Sequence, residues 1–194
     1  MVEKLIKISA FAEEVNDAVF AKMSDTCSPQ GVLLVARFRG EIKAAEQGRF
    51  IAFERVQDPS NLGAASRTAE ALGFSGIILS GLSTDPYSPK SLRASMGALL
   101  RIPIIQTNDF LATVSGYKSK GFKVSGTVVD SDATPINTVQ FTQNEIAIIG
   151  NEASGMTDSA KQLCDRLVTI PMAGRAESLN AGAAAAIVMW EMCR

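Results

Sequence analysis

From residue 49 onward, short apolar runs alternate with longer stretches whose apolar residues recur at helical spacing. The runs Phe50–Arg55, Gly76–Leu79, Pro103–Gln106, Lys123–Val129, Glu145–Ile149 and Leu167–Ile170 are predicted strands. The stretches Asn61–Leu72, Pro89–Leu100, Asp109–Lys118, Thr157–Cys164 and Ser178–Cys193 are predicted helices. Strands rich in Ile and Val, separated by helices, predict an α/β fold with a parallel sheet covered on both faces. No internal repeat or low-complexity tract interrupts the pattern.

The first part of the chain reads differently. Phe11 to Met23 would set Phe11, Val15, Ala18, Val19 and Met23 on one helical face. A turn at Ser24–Gly31 and an apolar run at Val32–Phe38 predict a following strand, and the polar segment Arg39–Arg49 predicts a linker. A lone helix and strand of about forty residues cannot bury a core of their own. The expected boundaries are therefore an N-terminal piece over 1–45 and a main domain over 46–194.

A length of 194 residues suits one such domain with an appended piece. Balanced charge, 19 basic against 20 acidic side chains, does not point to nucleic-acid binding by bulk electrostatics. The chain has no histidine. That excludes Ser-His-Asp and Cys-His hydrolases, histidine acid–base pairs and nearly every zinc enzyme. Cys27, Cys164 and Cys193 are widely spaced and form no C-x-x-C, so three reduced thiols are expected, with no disulfide framework and no metal site. Met1–Ala10 lacks a signal-like apolar run, and no stretch reaches the ~18–20 apolar residues that span a bilayer. A soluble, cytoplasmic protein is the expectation.

In a parallel sheet, ligands bind beyond the carboxyl ends of the strands. Three loops rich in Gly, Asn, Ser and Pro occupy such places. In "RVQDPSNLGAASRTAEALGF", Arg55–Phe74, Asn61 is a credible helix N-cap, and Arg67 lies well round the helix from it at about 100° per residue. A capped helix with one solvated arginine explains this segment equally well. In "IAIIGNEASGM", Ile146–Met156, the glycines have P-loop spacing, but Met156 and Thr157 stand where the lysine and Ser/Thr belong. The dinucleotide fingerprint G-x-G-x-x-G does not occur in the chain. Glu152 could favour a helix N-terminus or act on a ligand. In "IPMAGRAESLNAGAAAAIVMWEM", Ile170–Met192, Ser178 is a credible cap, and Leu179, Ala183, Ala186, Ile187 and Trp190 share one face. Ala181, Gly182, Ala184 and Ala185 on the other face are small enough for a close helix contact, within a core or between subunits.

Together and in this order, the loops resemble the three signature motifs of the SpoU (TrmH-like) RNA 2′-O-methyltransferases. The matching pieces are "NLGAASRTAEALGF", "IIGNEASGM" and "IPMAGRAESLNAGAAAA", with "SPKSLRASMGALLRIPI" between the first two. The similarity runs from about Phe50 to the C-terminus. It implies the SPOUT fold, a parallel sheet flanked by helices with a deep C-terminal trefoil knot. General folding rules would discard that topology, because knots are essentially absent from proteins.

The resemblance further implies S-adenosyl-L-methionine as cofactor, RNA as partner and a homodimer formed through the knot region and the last helix. Arg67 takes the catalytic role, and Asn61, Glu152, Ser178 and Asn180 are the other polar positions of the site. Backbone groups at Gly150, Ile170, Met172 and Leu179 hold the cofactor. The reaction it implies is methyl transfer to a ribose 2′-hydroxyl, which needs in-line attack and loss of the hydroxyl proton. A free arginine is a very poor base. Arg67 would act either as a proton acceptor adjusted by the substrate phosphate or as a phosphate clamp. "MSDTCSPQGVLLV" is similar to the join after a small ribosomal-protein-like RNA-binding domain, which makes 1–45 its C-terminal remnant and favours ribosomal over transfer RNA. A transfer-RNA enzyme and a non-catalytic dimeric RNA-binding or assembly protein on the same fold are the alternatives.

Overall fold

A computed structural model describes residues 2–26, 28–37 and 45–194. The chain divides into two units, Met1–Gly40 and Glu41–Arg194. The first holds helices α1 (Val2–Ile8) and α2 (Asp17–Met23), neither of which buries a side chain. The helix expected over Phe11–Met23 is shorter than its apolar pattern. Asn16 Oδ1 accepts from the Val19 amide at 3.0 Å and starts α2 there, leaving residues 11–16 non-helical. Helix α1, with Glu3 in its first turn and Lys7 in its last, occupies a segment where none was predicted. Residues 32–37 form no strand, which corrects the expected Val32–Phe38 element. A strand needs a ladder partner, and the described residues of this unit contain no other strand. Phe38 and the first part of the expected linker, through residue 44, lie outside the described residues.

The second unit runs β1 (Arg49–Phe53), α3 (Pro59–Ala71), β2 (Gly76–Ser80), α4 (Pro89–Ser95), β3 (Ile104–Thr107), α5 (Phe110–Ser119), β4 (Lys123–Thr127), β5 (Thr134–Pro135), β6 (Glu145–Ile149), α6 (Asp158–Leu163), β7 (Arg166–Thr169) and α7 (Ala181–Met192). The strands form one seven-stranded sheet in the order β3-β2-β1-β6-β4-β7-β5, with every pairing parallel. Each predicted strand of this unit is present within a residue or two, and the two-residue β5 is added at one edge.

Side chains along β1 alternate between two cores. Ile51 and Phe53 pack with α3 and α7, while Phe50 and Ala52 pack with α5 and α6. Burial on both faces explains why β1, β2 and β6 are apolar without alternation. The helix expected over Pro89–Leu100 is broken. Met96 (φ 49°) and Gly97 (φ 85°) take left-handed backbone, ending α4 at Ser95 before a 3-10 turn at Ala98–Leu100.

Helices α3, α4 and α7 meet through glycines. A Cβ on Gly63 would stand 2.4 Å from Ala94 Cβ, and one on Gly182 would stand 3.2 Å from the Asn61 carbonyl oxygen. This settles which side of α7 faces inward. Ala181, Gly182 and Ala185 are buried, whereas Ala183, Ile187 and Trp190 face outward, Trp190 with 59% exposure. Small residues let the α3 and α7 backbones approach at the start of α7, Val188, Met189 and Met192 extend the buried side, and Ile187 and Trp190 are left on the surface.

At the amino ends of the strands, the buried Glu145 carboxylate accepts from Ser125 Oγ at 2.6 Å and from the Thr142 amide at 2.7 Å, and pairs with Arg166. This joins β4, β6 and β7 at the end of the sheet remote from the three motif loops. Among the described residues, no helix is long and apolar enough to cross a membrane.

Candidate functional site

Strands β6, β4 and β7 are neighbours, and their carboxyl ends open into a cleft of about 500 Å³. Its walls are Thr127–Asp130 after β4, Ile149–Met156 after β6, and Thr169, Ile170, Met172 and Glu177–Leu179 after β7. Six of the sequence-predicted residues therefore line one cavity: Gly150, Glu152, Ile170, Met172, Ser178 and Leu179.

The turn after β6 is closed by two bonds between Asn151 and Gly155, 3.0 and 2.9 Å long. A Cβ on Gly150 would lie 2.3 Å from the Gly155 carbonyl carbon, so only glycine permits this approach. Asn151 Oδ1 accepts from the amides of Ala153 and Ser154, and its Nδ2 donates to the Arg55 carbonyl at 2.8 Å. Arg55 itself holds a left-handed backbone, φ 63°, with its amide donating to Ser80 Oγ at 2.8 Å.

Glu152 reaches the start of α3. Its Oε1 accepts from the amide of Asp58 at 3.2 Å and from Asn61 Nδ2 at 2.9 Å, and its Oε2 accepts from the Gln57 amide at 3.1 Å. Partial burial pushes the Glu152 carboxyl up. The bonds from Asn61, Gln57 and Asp58 outweigh that and hold it below the usual glutamate value.

Asn61 sits in the first turn of α3 but does not cap it. Asp58 is the cap, accepting from the Ser60 amide at 2.9 Å, with Pro59 at the first helical position. Freed from capping, the buried Asn61 side chain accepts from Asn180 Nδ2 at 2.7 Å. Asn180 in turn caps α7 through Oδ1, which accepts from Gly182 and Ala183. The cap expected at Ser178 is thus two residues later, and Ser178 lines the cleft instead. The result is one polar row, Asn180–Asn61–Glu152, that joins all three motif loops.

Arg67 is not part of that row. It is exposed and lines a separate groove with Met96, Arg101, Ile187 and Trp190, between α3, α4 and α7. The angular offset from Asn61 along the helix is realised as a different face of the molecule.

Three further residues were not singled out from the sequence. Asn151 shapes the cleft turn, and its place beside Glu152 in a glycine-bounded loop was the available signal. Thr127 ends β4 and lines the cleft, and its buried hydroxyl has no hydrogen-bond partner among the described residues. Glu54 is buried just beyond β1 and bonds to Thr157 across 103 positions, a separation that gives no local signal.

The chain matches the SpoU rRNA Methylase family over residues 48–190. It is 31% identical over 178 residues to the 23S rRNA (guanosine(2553)-2′-O)-methyltransferase RlmP of Bacillus subtilis, covering 92% of this chain and 71% of that protein. It is 36% identical over 149 residues to the 23S rRNA (uridine(2479)-2′-O)-methyltransferase of Streptomyces viridochromogenes, covering 74% of this chain but only 52% of that protein. Among solved structures, the AdoMet-bound rRNA methyltransferase of Sinorhizobium meliloti superposes with a TM-score of 0.78 at 32% identity, over 91% of this chain and 69% of the other.

Proposed function

The chain belongs to the SpoU rRNA Methylase family, and on that footing we propose that it transfers a methyl group from S-adenosyl-L-methionine to a ribose 2′-hydroxyl of RNA, ribosomal RNA in preference to transfer RNA. The observation that carries the proposal is the Asn180–Asn61–Glu152 row, which ties the three motif loops together beside the cleft. The residues present fit the cofactor. The unpartnered Thr127 hydroxyl offers a buried hydrogen-bonding group, and the Gly150 turn leaves main chain close to the cavity. Gly150, Ile170, Met172 and Leu179 would hold it with their backbone groups, as the resemblance assigns. When bound, the cofactor supplies an electrophilic methyl group on a sulfonium.

The remaining chemistry belongs to the chain's own residues. Glu152 is ionised and its oxygens are engaged by the start of α3, so it orients the loops rather than accepting the hydroxyl proton. Ser178 lines the cleft, where a hydroxyl can orient the incoming ribose. Among the described residues Arg67 has no hydrogen-bond or ion-pair partner, which suits a guanidinium kept for a substrate phosphate.

The groove that holds Arg67 exposes Trp190, Ile187 and Met96 (59%, 37% and 71%). Covering it with a second copy gives the homodimer of the resemblance, in which two subunits together build the active site. The C-terminal trefoil knot, a cytoplasmic setting, and an RNA-capturing role for the residues before 45 belong to the same proposal.

Calorimetry with S-adenosylmethionine and S-adenosylhomocysteine tests it. One saturable site per chain is expected, and failure to bind either compound would remove the cofactor and the enzyme with it.

A further inference from the structure

Glu54 is buried at the site end of the sheet, with 6% exposure, and has no part in the chemistry outlined above. Its amide donates to the Ile149 carbonyl at 2.9 Å, one step beyond the β1–β6 ladder. Its carboxylate turns to Thr157, accepting from the amide at 2.8 Å and from Oγ1 at 2.6 Å. Ile149 is the last residue of β6 and Thr157 is the N-cap of α6. A single residue therefore bonds both ends of the segment Gly150–Met156, every member of which lines the cleft.

Capping α6 does not require the acid. Thr157 Oγ1 already accepts from the Ala160 amide at 3.2 Å, which is the ordinary threonine cap. Burying a carboxylate is costly unless its hydrogen bonds are complete. Here they are made to the far end of the cleft turn. Asn151 and Glu152 hold the middle of the same turn to Arg55, Gln57 and Asp58, so residues 54–58 brace it along its length.

We propose that Glu54 is a positioning residue that holds the Gly150–Met156 turn in its cofactor-accepting form and thereby sets affinity for S-adenosylmethionine. This inference rests on the cofactor reading above. Glu54 acts through Thr157 and the turn, and transfers no proton.

The test uses the full chain and the variants Glu54→Gln, Thr157→Val and Thr157→Ser. Cofactor affinity is measured by calorimetry, and amide exchange across the turn by mass spectrometry without cofactor. Replacing a charge-assisted bond by a neutral one should weaken cofactor binding about tenfold in Glu54→Gln. Thr157→Val should lose a similar factor, the double variant little more, and Thr157→Ser should recover most of it. Exchange should quicken at Ala153–Gly155 and stay slow in β6, with RNA affinity and kcat at saturating cofactor unchanged. Wild-type affinity in both Glu54→Gln and Thr157→Val overturns the inference alone. So does a loss shared equally by cofactor binding, RNA binding and exchange throughout the sheet. A wild-type chain that binds no cofactor overturns the underlying reading and this inference with it.

Discussion

Asn180 and Asn61 lie 119 positions apart and meet amide to amide, Nδ2 of Asn180 donating to Oδ1 of Asn61 at 2.7 Å. That bond settles which way the Asn61 amide faces. With its oxygen engaged, its nitrogen is turned to Glu152, 2.9 Å away. The Asn180 oxygen meanwhile caps α7. The start of the last helix is thereby coupled to the turn after β6 through the first turn of α3.

Asn61→Asp tests this directly. An ionised aspartate can still accept from Asn180 but offers no donor to Glu152, and it places a second negative charge beside it. Unfolding free energy in urea at pH 7 should fall by about 1–3 kcal/mol. An unchanged urea midpoint would show that the row contributes nothing to stability.

Glu152 also gives the protein an acid limb. Its folded-state value lies below the ordinary glutamate value of 4.5, so ionised Glu152 favours the folded state. The contribution is complete above about pH 4.5 and is lost as pH falls through the lower folded value. Wild type should therefore exceed Glu152→Gln in stability at pH 7, with the gap narrowing below pH 4.5. A gap that widened on acidification would reverse the assigned sign.

The Glu145–Arg166 pair holds the opposite end of the sheet. Glu145 has a fully buried side chain and also accepts from Ser125 and Thr142. Arg166→Met leaves that carboxylate buried without its cation and should cost about 3–5 kcal/mol in chemical denaturation. Cofactor affinity of the folded variant should not change, because the cleft is at the other end of the strands. A stability loss below about 1 kcal/mol would place this pair with weak surface ion pairs.

Cys164 should be chemically quiet. Burial, with Asp165 and Glu54 nearby, pushes its thiol up to about 12 despite the opposing charge of Lys118. At pH 8 the reactive thiolate is then about one part in ten thousand. Iodoacetamide should label Cys164 about a thousandfold more slowly in the folded protein than in urea. Comparable rates would mean that the packing of α6 on β4 is open to solvent.

The sheet was legible because β1, β2 and β6 are apolar on both faces. Phe50 to Phe53 carry no polar residue to mistake for a surface position. The caps were less legible. Asp58-Pro59 and Asn61 both suit a helix start, and only the partner at position 152 shows that Asn61 is used elsewhere. The sides of α7 were legible only as alternatives, a close contact within a core or between subunits. The close approach of Asn61 to Gly182 turns the side with Ala181, Gly182 and Ala185 inward, together with Val188 and Met189, and leaves Ile187 and Trp190 outside. Glu54 could not be read at all, since its partner Thr157 lies across the cleft turn. In the first unit, Asn16 cut short a helix whose apolar spacing continued to Phe11.

Methyl transfer to a ribose oxygen is read out by transfer of labelled methyl from S-adenosylmethionine to ribosomal RNA. Alkaline hydrolysis cannot cleave next to a methylated 2′-oxygen, so the label should appear in alkali-resistant dinucleotides. Arg67→Ala should abolish that product while keeping cofactor affinity within about threefold of wild type. No transfer to any RNA or label found only in mononucleotides would rule out ribose 2′-O-methylation, and full activity in Arg67→Ala would remove Arg67 from it.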